Sequence, residues 1–181
     1  MSVVIYSRPI ETPVTPDLVR EMAREADGCF NLHRVDWRDS YLATARDRMV
    51  CWYQAPDAES ARLALRQLGS DMNAVWSGEL VEQGASEAEE ASDGYAIAEL
   101  VFDTPLSEAA FDELKDALSR LDAAQDMSFR RGFLRGTRDR MICIFRAADV
   151  EALQNALGTL EVKPASTWSC ERVLPDPRPP A

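Results

Sequence analysis

The sequence predicts an α+β fold: two tandem βαββαβ repeats packed sheet to sheet as an intramolecular α+β barrel. Three observations lead there. First, the chain repeats itself at a constant offset of 92 residues. Residues 3–81 match residues 95–173 at 21 of 79 positions with no gap, and Arg46-Asp47-Arg48-Met49 falls on Arg138-Asp139-Arg140-Met141. Such a period exceeds the roughly 20–50 residues of a solenoid repeat, so each copy reads as a small domain. Second, each copy sets two helical stripes among strand-like runs. Third, one run per copy is apolar on both faces, which calls for cover on both sides.

Residues 3–8 and 95–102 read as the first strand of each copy. A Thr-Pro turn follows, and Thr15 and Ser107 stand where a hydroxyl N-cap belongs, with Pro16 suited to the first helical position. Val19, Met22, Ala26 and Cys29 recur at helical spacing, as do their twins Phe111, Leu114, Leu118 and Leu121. That is a helix of roughly 15 residues.

The second strand is expected over His33–Leu42, with Val35, Trp37 and Tyr41 alternating against polar neighbours, and Met127, Phe129 and Phe133 matching in copy two. Residues 43–47 and 135–139 are polar turns, the second helped by Gly136. The third strands, Met49–Tyr53 and Met141–Phe145, are the doubly apolar ones. Asp57 and Asp149 then read as N-caps of second helices, with stripes Ala61, Ala64, Leu65, Leu68 and Leu153, Ala156, Leu157, Leu160; Gly69 suits a helix stop. A last strand carries Trp76 or Trp168. This order is the split βαβ, or ferredoxin-like, unit.

Such a sheet has helices on one face only, and the two copies can cover each other's second face. The 13 residues between them span up to roughly 40–47 Å when extended, and tethering raises the effective concentration of one copy about the other. The rival arrangement is two separate beads, each pairing with another molecule. The expected boundaries are a first repeat over 1–81, an acidic linker over 82–94, a second repeat over 95–173 and a Pro-rich tail over 174–181.

Composition narrows the function classes. Of 181 residues, 46% are hydrophobic and 28% charged, with a net charge of −11, so nucleic acid and anionic membranes are not expected partners. The linker alone holds five acids and no base. No run approaches the roughly 18 apolar residues of a membrane span. Met1–Arg8 shows no export signal, so a cytoplasmic location is expected. Cys29, Cys51, Cys143 and Cys170 lack Cys-x-x-Cys spacing and read as reduced, apolar residues. With His33 as the single histidine, no metal site built by one chain and no cofactor are expected.

The stretch Trp37-Arg38-Asp39-Ser40-Tyr41-Leu42, followed by Asp47-Arg48-Met49-Val50-Cys51-Trp52-Tyr53-Gln54-Ala55-Pro56-Asp57-Ala58-Glu59, resembles the central segment of the nickel-responsive-protein-like family. The resemblance extends over both copies. It implies small βαββαβ domains forming dimeric α+β barrels, within a superfamily that includes cofactor-free monooxygenases, isomerases, haem enzymes and ligand-binding regulators. Nickel ligands do not carry over residue by residue, since Gln125 replaces His33 in copy two.

The candidate site residues follow from that barrel. His33, placed at the start of the second strand, is the candidate general base, because an imidazole titrates near neutrality. Tyr6, Trp37, Tyr41, Tyr53 and Phe129 offer aromatic walls; Glu79 and Glu171 offer carboxylates on last strands. Arg38 and Arg130 offer guanidinium forks for an anion. The expected function is binding of a small organic molecule in the barrel or at its rim. The alternative is a cofactor-independent isomerase, cyclase or monooxygenase using His33. A small-molecule ligand and further copies of the chain are the partners considered.

Overall fold

The computed structural model describes residues 1–67, 69, 74–82, 94–123, 127–147 and 149–176. The fold is α+β. The strands are hydrogen-bonded in the closed order β1-β3-β2-β8-β5-β7-β6-β4, the barrel of two ferredoxin-like repeats expected from the sequence. The chain divides into two compact units, Met1–Gly78 with Arg172–Ala181, and Glu79–Glu171. Nearly all of the acidic linker, the tail beyond residue 176, Leu68 and Gln125 lie outside the described residues.

The first repeat runs β1 (Ser2–Pro9), α1 (Pro16–Leu32), β2 (Asp36–Ala43), β3 (Arg48–Ala55), α2 (Ala58–Gln67) and β4 (Val75–Glu82). Its strands pair antiparallel in the order β4-β1-β3-β2. Thr15 Oγ1 accepts the Leu18 N–H at 3.2 Å, with Pro16 in the first turn. This satisfies a helix-end donor that would otherwise be orphaned. Asp57 does the same for the Ser60 N–H at 2.7 Å. The helices bury Val19, Ala26 and Phe30, and Ala61, Ala64 and Leu65, against the sheet face carrying Val4, Tyr6, Met49, Cys51 and Tyr53.

One sequence expectation is corrected here. His33 does not begin β2; it is the C-cap of α1, and β2 starts at Asp36. Arg34 enters the left-handed region at φ 56°, the Arg34 N–H donates to Asn31 O, and the Val35 N–H donates back to Phe30 O at 2.8 Å. With Val35 and Phe30 both buried, this is a Schellman ending with its usual apolar contact. No glycine marks it in the sequence, which is why the helix reads too short.

The second repeat runs β5 (Tyr95–Val101), α3 (Glu108–Ser119), a 3-10 turn (Arg120–Ala123), β6 (Ser128–Arg135), β7 (Arg140–Arg146), α4 (Val150–Thr159) and β8 (Ser166–Val173). Its order, β8-β5-β7-β6, repeats the first. Ser107 and Asp149 cap their helices as expected. The twinned Arg-Asp-Arg segments make twinned hairpin turns, with Arg46 at φ 61° and Arg138 at φ 59°. Their carbonyls, Asp47 O and Asp139 O, accept the N–H of Ile10 and of Phe102 beyond the first strands. A register shift follows Trp37 in β2 and its twin Phe129 in β6, so Arg38 and Arg130 sit on matching bulges. Both faces of β3 and of β7 are buried, as the doubly apolar runs require.

Candidate functional site

In the first repeat a cavity of about 180 Å³ lies between α1 and the sheet. Helical spacing brings Val19, Met22, Ala23, Ala26 and Phe30 of α1 to its wall, with Leu65 from α2. Strand alternation supplies the opposite side: Tyr6 and Arg8 from β1, Trp37 and Ser40 across the bulge of β2, and Met49, Cys51 and Tyr53 from β3. Met22 and Glu25, both exposed, mark where it reaches the surface.

The sheet side is polar and, apart from Arg8, neutral. Trp37 Nε1 donates to Ser40 Oγ at 3.0 Å, and Ser40 Oγ donates to Cys51 Sγ at 2.9 Å. Burial pushes the Cys51 thiol up, while the Ser40 hydrogen bond and the Arg8 charge pull it partly back. Tyr53 shares a hydrogen bond with Cys51; burial, then the neighbouring thiol, hold its hydroxyl well above the usual phenol range. The Phe30 ring stands edge-on to Tyr53 at 5.6 Å. Arg8 is the one cationic residue of the lining. Its guanidinium lies 5.6 Å from the Tyr6 ring centroid, and its Nε is buried without a hydrogen-bond partner.

Three of the residues singled out from sequence, Tyr6, Trp37 and Tyr53, meet in this cavity. The others do not join its lining. His33 is half-buried at the end of α1, with its Nε2 buried and without a hydrogen-bond partner. Arg38 is exposed, paired with Asp36 at 3.1 Å and set over the Trp52 ring. Tyr41 is fully buried. Glu79 pairs with Arg138 at 3.8 Å. Phe129 packs edge-on to Phe145 at 5.6 Å in the second repeat, Arg130 occupies the β6 bulge, and Glu171 lies half-buried on β8.

Sequence reasoning missed Arg8, Ser40, Cys51 and Ala26. Divergence between the copies is the signal that finds Arg8, Ser40 and Ala26, whereas Cys51 has an identical twin in Cys143 and carries no such signal. Where the first repeat has Arg8, Tyr6, Ser40 and Ala26, the second has Leu100, Ala98, Gly132 and Leu118. The second repeat's helix brings Phe111, Leu114, Leu118 and Leu121 into its core. The packing there is so close that a Cβ on Gly132 would stand 2.2 Å from Met141 Cε. The matching position in the first repeat holds the Ser40 side chain beside the cavity.

Among the described residues, no group of three or more His, Cys, Asp or Glu is placed to hold a metal ion. Among those residues nickel therefore has no fitting donor set. Among the described residues, no helix is long and apolar enough to cross a membrane.

The fold is shared with a solved structure. A chlorite dismutase-like protein superposes with a TM-score of 0.53 at 13% identity, over 95% of this chain and 94% of the other. A monooxygenase-like protein from Lactobacillus acidophilus gives a TM-score of 0.47 at 10% identity, over 95% and 94%. At such identities the likeness concerns the fold alone. No curated protein matches the chain in sequence. The family resemblance read from the strand and turn residues is borne out where the cavity lies: residues 5–77, the first repeat, match the family described as nickel responsive protein SCO4226-like.

Proposed function

We propose that the protein binds a small organic molecule in the cavity of its first repeat, as a binding protein of the reducing cytoplasm. The observation that carries this reading is the contrast at matched positions. One repeat keeps a cavity of about 180 Å³ with an apolar helical wall and a hydrogen-bonding sheet side, and its twin places larger side chains on the helix. An apolar cavity of about 150 Å³ suffices for benzene, so the space suits a molecule built on one ring or a short branched chain. It is smaller than the roughly 300–1,000 Å³ of drug-sized sites. The free thiols of the four cysteines agree with a reducing compartment. The enzyme reading with His33 as base has less support, because a base must reach its substrate and His33 lies outside the lining.

The test is a titration with toluene followed by two-dimensional amide NMR. The expected result is saturable shifts at Ala26, Phe30, Cys51 and Tyr53, absent in Ala26→Leu, which places the twin's leucine in the cavity. Unsaturable shifts, or shifts that Ala26→Leu leaves unchanged, would refute the reading.

A further inference from the structure

We infer that the cavity of the first repeat selects an anionic ligand, a small carboxylate with an apolar body, whose charged end is received by Arg8. This deepens the binding reading and rests on it. Arg8 is the single cation of the lining, and among the described residues its side chain takes part in no ion pair, with its Nε buried and without a hydrogen-bond partner. The guanidinium lies over the Tyr6 ring, an arrangement that gives its Nε–H no acceptor. A buried N–H without an acceptor is costly, by about 1–3 kcal/mol, so the protein holds a donor whose partner must come from elsewhere. A carboxylate is the group whose geometry matches a guanidinium edge.

The rest of the lining agrees with one charge and not two. Ser40, Trp37, Cys51 and Tyr53 satisfy one another, and the raised thiol and phenol stay neutral, so they neither repel an anion nor bind a second one. The helical wall of Val19, Ala26 and Phe30 takes an apolar body. The second repeat differs at this point: at the position of Arg8 it carries Leu100, 1% exposed, so the cation has no counterpart there. Glu25 at the mouth disfavours a second carboxylate. The net charge of −11 opposes anions in general, so selection depends on the short-range contact with Arg8 and survives screening by salt.

The experiment compares benzoate with benzamide, its neutral counterpart of the same shape, by calorimetry on the full chain. The expected result is benzoate binding at least tenfold more tightly, a preference reduced to about onefold in Arg8→Leu, with benzoate losing more affinity than benzamide. Thermal unfolding checks that the variant folds, and Arg8→Gln, which keeps a polar side chain of similar reach, carries the same expectation should the leucine variant not fold. Equal binding of the two probes by the native chain, or a benzoate preference that survives both substitutions, overturns the anion assignment and leaves the cavity reading standing. Failure of both probes to bind the native chain at millimolar concentration overturns both.

Discussion

The two repeats share a backbone plan and differ in what lies between helix and sheet. Both begin a helix on a hydroxyl cap, both turn a hairpin on a left-handed arginine, and both carry a bulge at an arginine in the second strand. In the first, small and polar residues leave a cavity; in the second, leucine and phenylalanine stand at the matching helical positions. The backbone features depend on hydrogen bonding, which many side chains tolerate. The interior depends on volume, where single substitutions decide whether space remains. A duplicated chain can thus keep its fold in both halves while their interiors diverge.

The largest expected effect separates two ion pairs by their burial. Asp39, fully buried, meets Arg172 at 2.7 Å, whereas Arg131 meets the half-exposed Glu82 at 3.3 Å. Arg172→Met removes the guanidinium from a buried carboxylate and should cost about 3–5 kcal/mol. Glu82→Gln should cost under about 1 kcal/mol. Denaturant unfolding of the two variants checks this, and similar losses would mean that burial does not distinguish the pairs.

Next comes the volume exchange itself. Leu118→Ala should lower stability by about 2–5 kcal/mol, because it opens a hole in a filled layer. Ala26→Leu, its mirror, should leave the melting temperature unchanged or raise it, as cavity filling does. A strongly destabilised Ala26→Leu would contradict the account.

The twin thiols Cys51 and Cys143, both buried, sharpen the contrast on the alkaline side. Burial raises Cys143 with nothing to offset it, whereas the Ser40 hydrogen bond and the Arg8 charge offset part of the rise at Cys51. A thiol whose folded value is raised binds its proton more tightly when folded. Its contribution is fully present below the ordinary value of 9.0 and is lost as pH climbs towards the folded value. Stability should therefore fall above pH 9, by up to about 1.4 kcal/mol per unit for each such thiol. Cys143→Ala should flatten the curve more than Cys51→Ala does in melting temperatures recorded from pH 7 to 10.5.

The smallest effect concerns a turn. Gly69 after α2 has φ 75°, and its twin Glu161 after α4 is held at φ 57°, in the left-handed region that side chains disfavour. Glu161→Gly should stabilise by about 1 kcal/mol. No change on thermal unfolding would mean that the Schellman bonds at Glu161 and Val162 already offset the strain.

The architecture was legible because each signal occurs twice. Thr15 and Ser107, Asp57 and Asp149, and the doubly apolar runs at Met49 and Met141 all form what their patterns imply. His33 was misplaced because α1 ends on Arg34, a residue without the glycine signature of a left-handed stop. The site was legible only in part. Tyr6, Trp37 and Tyr53 declare themselves as large strand residues, but an arginine near a strand end, such as Arg8, reads as a surface charge. That Arg8 shares the face of Tyr6 follows from its position two residues along. That the space around it stays open follows from the small Ala26 across from it, and only the packed helix supplies that pairing. Resemblance over residues 5–77 pointed to the fold and said nothing of the cavity.

The central claim is that one repeat holds a ligand space and the other does not. Crystals soaked in iodobenzene test it directly, because iodine scatters anomalously and reports its position without assumption. The account predicts one anomalous peak per chain, between Ala26 of α1 and Tyr53 of β3, and no peak between α3 and its sheet beside Leu118 and Met141. A peak in the second repeat, or none in the first at saturating soak, would contradict it.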